Sequence, residues 1–187
     1  SLEDGKQPLF IWLAAILQKF ISDPLVATRL VSVFSGFAAT IGIYLLTRNL
    51  FNVRAAKLAS LLYIILPFTL LYDRMALFDS LLTMLGIYAV LFTVKLAKDP
   101  RLDNSILTGF AIGLSMITKS SGNFFLYLMP FSLPLFNFKD KSYRANLIKL
   151  AGLAIISLVI SQIIYNSLRL SPLFYIISQK NLAFIRP

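Results

Sequence analysis

Two carboxylates and a guanidinium fall within one short stretch, Tyr72-Asp73-Arg74-Met75-Ala76-Leu77-Phe78-Asp79. Carboxylates at that spacing can organise hydroxyls, accept a proton or ligate a cation, and an arginine beside them can hold an anion. A plainer reading competes with it. Asp79 then caps a helix, while Asp73 and Arg74 pair with each other or with headgroups. A second cluster, Asp4-Gly5-Lys6-Gln7-Pro8, sets a lysine and a carboxylate just ahead of an apolar run. The Lys6 ammonium is a suitable point charge for a lipid phosphate; as a bland alternative, it anchors the chain at the interface. Lys119, before Ser120-Ser121-Gly122, either lines a cavity beside Asp4 and Asp73 or snorkels to the surface, and snorkelling is the plainer reading. Gln162, Asn166 and Arg169 share one helix face at spacings of four and three, which serves a cavity lining and a bundle hydrogen bond equally well. The chain has neither Cys nor His, so thiolate sites and His-based nucleophile triads are excluded and acid–base work falls to carboxylates, Lys, Arg or Tyr.

The elements that must position these groups are apolar. Hydrophobic residues make up 58% of the 187 and charged residues 14%, with a mean hydropathy of +0.78. A soluble domain of this size needs more polar surface. The apolar residues come in blocks near membrane-span length, at about 30–47, 55–72, 80–96, 106–118, 123–138 and 147–168. Pro67 is expected to kink the second, and Pro130 and Pro134 interrupt the fifth. The run from Leu9 to Ile21, which contains Trp12, is too short to span and reads as an interfacial helix. Asp23-Pro24 marks a helix start, with Asp23 as N-cap and Pro24 as first helical residue. The expected fold is therefore all-α, a polytopic transmembrane helix bundle of about six spans plus an N-terminal interfacial helix. Residues 1–187 form a single transmembrane domain, with an outer-face interfacial segment at 1–27, the bundle at 28–168 and an outer-face tail at 169–187. Ser1 opens without a methionine or a signal-peptide pattern, so the chain reads as an internal fragment of a longer protein.

Charge sets the expected topology. The net charge is +10, but the basic residues lie in short runs between apolar blocks, which argues against nucleic acid as a partner. The turns at 48–57, 95–103 and 139–149 carry ten basic residues against three acidic, and the remaining segments eight against five. The positive-inside rule makes the first set cytoplasmic, so Lys6, the 73–79 stretch, the Lys119 turn and the tail share the outer face. Ser32, Ser35, Gly36, Ala39 and Gly42, with Gly109-x-x-x-Gly113, mark close helix contacts and say nothing about substrate.

Taken in order, these residues resemble the polyprenol-phosphate-sugar-dependent glycosyltransferases of the GT-C class, in the branch similar to protein O-mannosyltransferases and the lipid A aminoarabinose transferase. The likeness lies in Gly5-Lys6-Gln7-Pro8-Leu9 and Trp12-Leu13, then Ala27-Thr28-Arg29-Leu30 and Tyr44 to Phe51. It continues through Ala55-Ala56, Pro67 ahead of Asp73-Arg74 and Asp79, and then Gly113-Leu114 and Thr118-Lys119, covering most of residues 4–125. The resemblance implies transfer of a sugar from a polyprenol-phosphate donor to a protein, lipid or glycan acceptor at the extracytoplasmic face of a prokaryotic plasma membrane. It implies Lys6 on the donor phosphate, Asp79 and Arg74 as catalytic residues, membrane lipids as surroundings, and no certain cofactor, with a divalent metal an option at Asp79. The chain departs from the family in having Gly5 directly before the lysine. The family's candidate base, an Asp in the first outer loop after a first span, would lie upstream of Ser1, so the fragment is expected to be inactive alone. The alternatives are a transporter or flippase bundle for a lipid-linked or anionic substrate, and a non-catalytic assembly subunit. Against a transporter, the sequence shows no internal repeat, and its charges sit at span ends.

Overall fold

A computed structural model of the chain describes residues 7–138 and 143–170, which are helical with no strand among them. Eight α-helices follow in order: α1 (Leu9–Leu17), α2 (Pro24–Leu50), α3 (Val53–Ile65), α4 (Pro67–Tyr72), α5 (Phe78–Lys98), α6 (Leu102–Met116), α7 (Asn123–Leu128) and α8 (Tyr143–Asn166). Three helical stretches are long and apolar enough to cross a membrane, at 24–50, 78–98 and 143–170. Their outward faces keep large apolar side chains exposed, such as Phe37 at 67% and Ile163 at 64%. Such faces suit hydrocarbon, and the all-α membrane bundle expected from the composition is what the chain forms.

All six apolar segments fold as helix, but only those three reach span length. At about 1.5 Å per residue, α3 and α6 rise only about 20 and 22 Å, short of a hydrocarbon core of about 30 Å. The cause is local. Pro67 has no N–H to continue α3, so the helix stops at Leu66 (φ −57°, ψ 122°) and restarts with Pro67 as its first residue. Pro130 and Pro134 likewise turn the stretch after α7 into a 3₁₀ segment, Met129–Leu135. The start of α2 follows its capping chemistry: Asp23 Oδ1 accepts from the N–H of Leu25 at 2.8 Å and of Val26 at 3.3 Å.

The helices pack in a chain of neighbours, α3 on α2, α2 on α5, α5 on α6 and α6 on α8. Small residues make the close approaches, because in lipid these contacts rest on backbone proximity and hydrogen bonds more than on the hydrophobic effect. Gly109 and Gly113 sit against Ile160 and Ile164 of α8. Below them Ser105 Oγ donates to the Leu153 carbonyl (2.6 Å), and Ser157 Oγ donates to that of Ser105 (2.8 Å). Short α1 lays Phe10 and Ala14 on Val31, Leu81 and Leu85. At one end of α5, Lys98 Nζ donates to Asn49 Oδ1 (3.0 Å), which joins two of the basic turns. Asp73, Asp79 and Lys119 gather about 30 Å away, at the other end of the same 21-residue helix.

Candidate functional site

The site is assembled by the start of α5 and by the turn that follows α6. Ser32 of α2 fixes the first of these. Its hydroxyl lies 3.3 Å from both the carbonyl and the N–H of Leu77, the residue before α5, donating to one and accepting from the other. Asp79 therefore falls in the first turn of α5 and makes no capping hydrogen bond to the helix. The N-terminal end of the helix dipole favours its charge there. Lys119 stands in extended backbone (φ −157°, ψ 146°) ahead of the 3₁₀ turn Ser120–Gly122. That turn folds back tightly: the Gly122 N–H donates to the Lys119 carbonyl (2.8 Å), and a Cβ on Gly122 would overlap the Ser115 backbone. The extension carries the ammonium across to α5, where Lys119 Nζ meets Asp79 Oδ1 at 2.7 Å.

This ion pair opens onto a cavity of 410 Å³ lined also by Tyr63, Phe68, Thr69, Tyr72, Asp73, Ser80 and Thr83. Asp73 is the second carboxylate on its wall, and α2 has a seat for it. A Cβ at Gly36 would overlap the Asp73 carboxylate, so only glycine lets the side chain lie against that helix. Tyr63 Oη donates to Asp73 Oδ2 at 3.4 Å. Burial pushes the Asp73 carboxyl above the usual carboxylate range, and hydrogen bonds from Ser80 and Tyr63 offset that only in part. Asp73, Tyr63 and Thr69 also wall a neighbouring cavity of 210 Å³, where exposed Arg74 lies. The pairing of Asp73 with Arg74 expected on the plainer reading is not formed; the ion pairs among the described residues are Lys119–Asp79 and Arg101–Asp99. A larger cavity of 540 Å³, between the Met129–Leu135 segment and α8, has no charged side chain on its wall among the described residues.

Gly36→Ala tests the seat. The methyl group is expected to drive Asp73 off α2 at a cost of about 1–3 kcal/mol, the scale of overpacking a filled site. Thermal unfolding in detergent reads that cost, and an unchanged midpoint with Asp73 still in place would refute the seat.

Asp73, Asp79 and Lys119 thus share one cavity, Arg74 lies in the next, and Lys6 and Asp4 fall outside the described residues. Lys119 reaches a carboxylate partner in place of the bare solvent contact of a snorkelling lysine. Asp79 is no helix cap, and its carboxylate pairs outward. At Asp79, the candidate position for a divalent metal, the described neighbour is the Lys119 ammonium. No group of three or more His, Cys, Asp or Glu side chains is close enough to hold an ion among the described residues. Asn166 Nδ2 donates to the Gln162 carbonyl (2.8 Å), so this part of the α8 stripe is spent within its own helix. Tyr63, Thr69 and Ser80, ordinary residues in apolar helices, carry no signal of their own. Gly36 was visible only as one member of a small-residue stripe.

A sequence model of the family described as dolichyl-phosphate-mannose-protein mannosyltransferase matches residues 5–165. The match runs through every described residue of the cavity. No curated protein and no solved structure matches the chain.

Proposed function

Since the chain belongs to the dolichyl-phosphate-mannose-protein mannosyltransferase family and is a membrane glycosyltransferase of the GT-C type, we propose that the Asp73–Asp79–Lys119 cavity is where sugar leaves a polyprenyl-phosphate carrier. In that reaction an acceptor hydroxyl attacks the anomeric carbon and the bond from that carbon to the phosphate oxygen breaks. A carboxylate base takes the hydroxyl proton, and the carrier departs as polyprenyl phosphate. Negative charge grows on the departing phosphate, so a positioned cation favours the transition state over the ground state. Lys119 supplies such a cation inside the cavity, Arg74 a second in the next, and Lys6 is the further candidate for the donor phosphate. Asp79 holds the ammonium over the cavity until the phosphate takes it. The freed carboxylate can then accept hydrogen bonds from sugar or acceptor hydroxyls.

The observation that carries this reading is the Lys119–Asp79 pair at the wall of a cavity that holds a second, partly buried carboxylate. The separation of this end of α5 from the basic turns at its other end supports an extracytoplasmic site, because those turns are the ones the positive-inside rule keeps in the cytoplasm. A direct test reconstitutes the full-length protein in vesicles with a polyprenyl-phosphate-linked mannose and follows release of polyprenyl phosphate. Release is expected, and Lys6→Ala should raise the donor KM about tenfold, the scale of one charge-assisted phosphate contact. Movement of intact donor between leaflets without sugar release would replace this reading with a flippase.

A further inference from the structure

We propose that Gln7 is a positioning residue which, through Ser120, holds Lys119 in the orientation that meets Asp79. The proposal rests on the reading of the cavity just given. The segment before α1 and the turn after α6 are joined at two points. The Leu9 N–H donates to the Ile117 carbonyl (3.2 Å), and Gln7 Nε2 donates to Ser120 Oγ (3.1 Å). The pinned positions, 117 and 120, bracket Lys119. Between them Ile117 and Thr118 turn off the end of α6 and Lys119 alone is extended, so the clasp fixes the direction in which the lysine leaves the turn.

The chemistry of Gln7 argues that it serves more than stability. The residue is only 5% exposed, and while Nε2 is paired, Oε1 is buried with no hydrogen-bond partner among the described residues. A buried carboxamide that satisfies one end only is costly, and an apolar side chain of similar size avoids that cost. An amide kept there on packing grounds alone would be a poor choice; an amide that orients a neighbouring cation has a reason to be there.

Gln7→Leu separates the two accounts. Its expected thermal midpoint equals or exceeds that of the wild type, because an unpaired buried acceptor is removed. With the clasp gone Lys119 spends less time on Asp79. Acetylation of Lys119 by a hydroxysuccinimide ester, read by mass spectrometry, should then run about three- to tenfold faster, the ratio that one neutral hydrogen bond supplies. With polyprenyl-phosphate-linked donor, kcat and kcat/KM should fall together by a similar factor, the pattern of a weakened transition-state contact. Ser120→Ala removes the same bond from the exposed side and should reproduce both changes if Gln7→Leu fails to fold. Unchanged Lys119 labelling in a folded variant overturns the proposal. Labelling is read without any sugar transfer, so a faster rate upholds the clasp even where polyprenyl phosphate release is absent and the glycosyltransferase site itself is refuted.

Discussion

Lys119→Met is expected to lower sugar transfer about a hundred- to a thousandfold while leaving the protein as stable as before. The two halves of this result come from different magnitudes. The Lys119 and Asp79 side chains are 48% and 40% exposed, and an ion pair so open to solvent contributes about 0–1 kcal/mol to stability. A cation placed against charge that develops only in the transition state is worth far more, about 3–4 kcal/mol for one donor of this kind. The loss should therefore appear in kcat and in kcat/KM together, with the unfolding midpoint almost still. Asp79→Asn should cost less, because it leaves the ammonium in place and removes only its resting partner. The exchange Lys119→Asp with Asp79→Lys restores the pair but moves the cation onto α5, and it should stay inactive. Turnover of Lys119→Met within a few-fold of wild type would make the pair an ordinary surface contact and sink the assignment.

What could be read from the sequence follows the range of the interaction concerned. Asp23 and Pro24 mark the start of α2 because an N-cap and its first turn lie within three residues, and Pro67 marks a break for an equally local reason. The stripes at 32–42 and 109–113 announce helix contacts, since close backbone approach needs small side chains at helical spacing. The functional site depends on the opposite kind of contact. Lys119 and Asp79 are 40 residues apart, Gln7 and Ser120 are 113 apart, and nothing in either segment names its partner. Lys119 read locally is a lysine at a helix end, for which snorkelling is the ordinary fate. Its true setting comes from the fold of the Ser120–Gly122 turn, and that in turn from Gly122 lying flat on the end of α6. The six apolar blocks were legible as helices, but their lengths were not. The charged turns and prolines that end them shorten α3 and α6 more than hydropathy alone suggests.

Asp73→Asn is expected to raise the unfolding midpoint at neutral pH and at the same time to lower turnover by roughly ten- to a hundredfold, the scale of a small misplacement of reacting groups. Burial is the largest influence on this carboxyl and lifts its pKa, against the opposing hydrogen bonds from Ser80 and Tyr63. A group whose pKa is raised on folding binds its proton more tightly in the folded state. The stability that goes with it is complete below the ordinary carboxylate pKa and is lost as pH rises through the raised value. At neutral pH the ionised Asp73 is thus a cost to the fold. Asparagine, neutral and nearly the same shape, can still accept from Tyr63 Oη and is spared the desolvation of a charge. The midpoint advantage of the variant should shrink as pH falls toward 4, about the value for an unperturbed aspartate, because both proteins then carry a neutral side chain on the Gly36 seat. A residue that weakens the fold at working pH and strengthens catalysis is paying for function, and this opposition is what separates a site carboxylate from a structural one. If Asp73→Asn were less stable than the wild type at neutral pH, or equally active, Asp73 would be a structural hydrogen-bond acceptor and the cavity would hold one working carboxylate, Asp79.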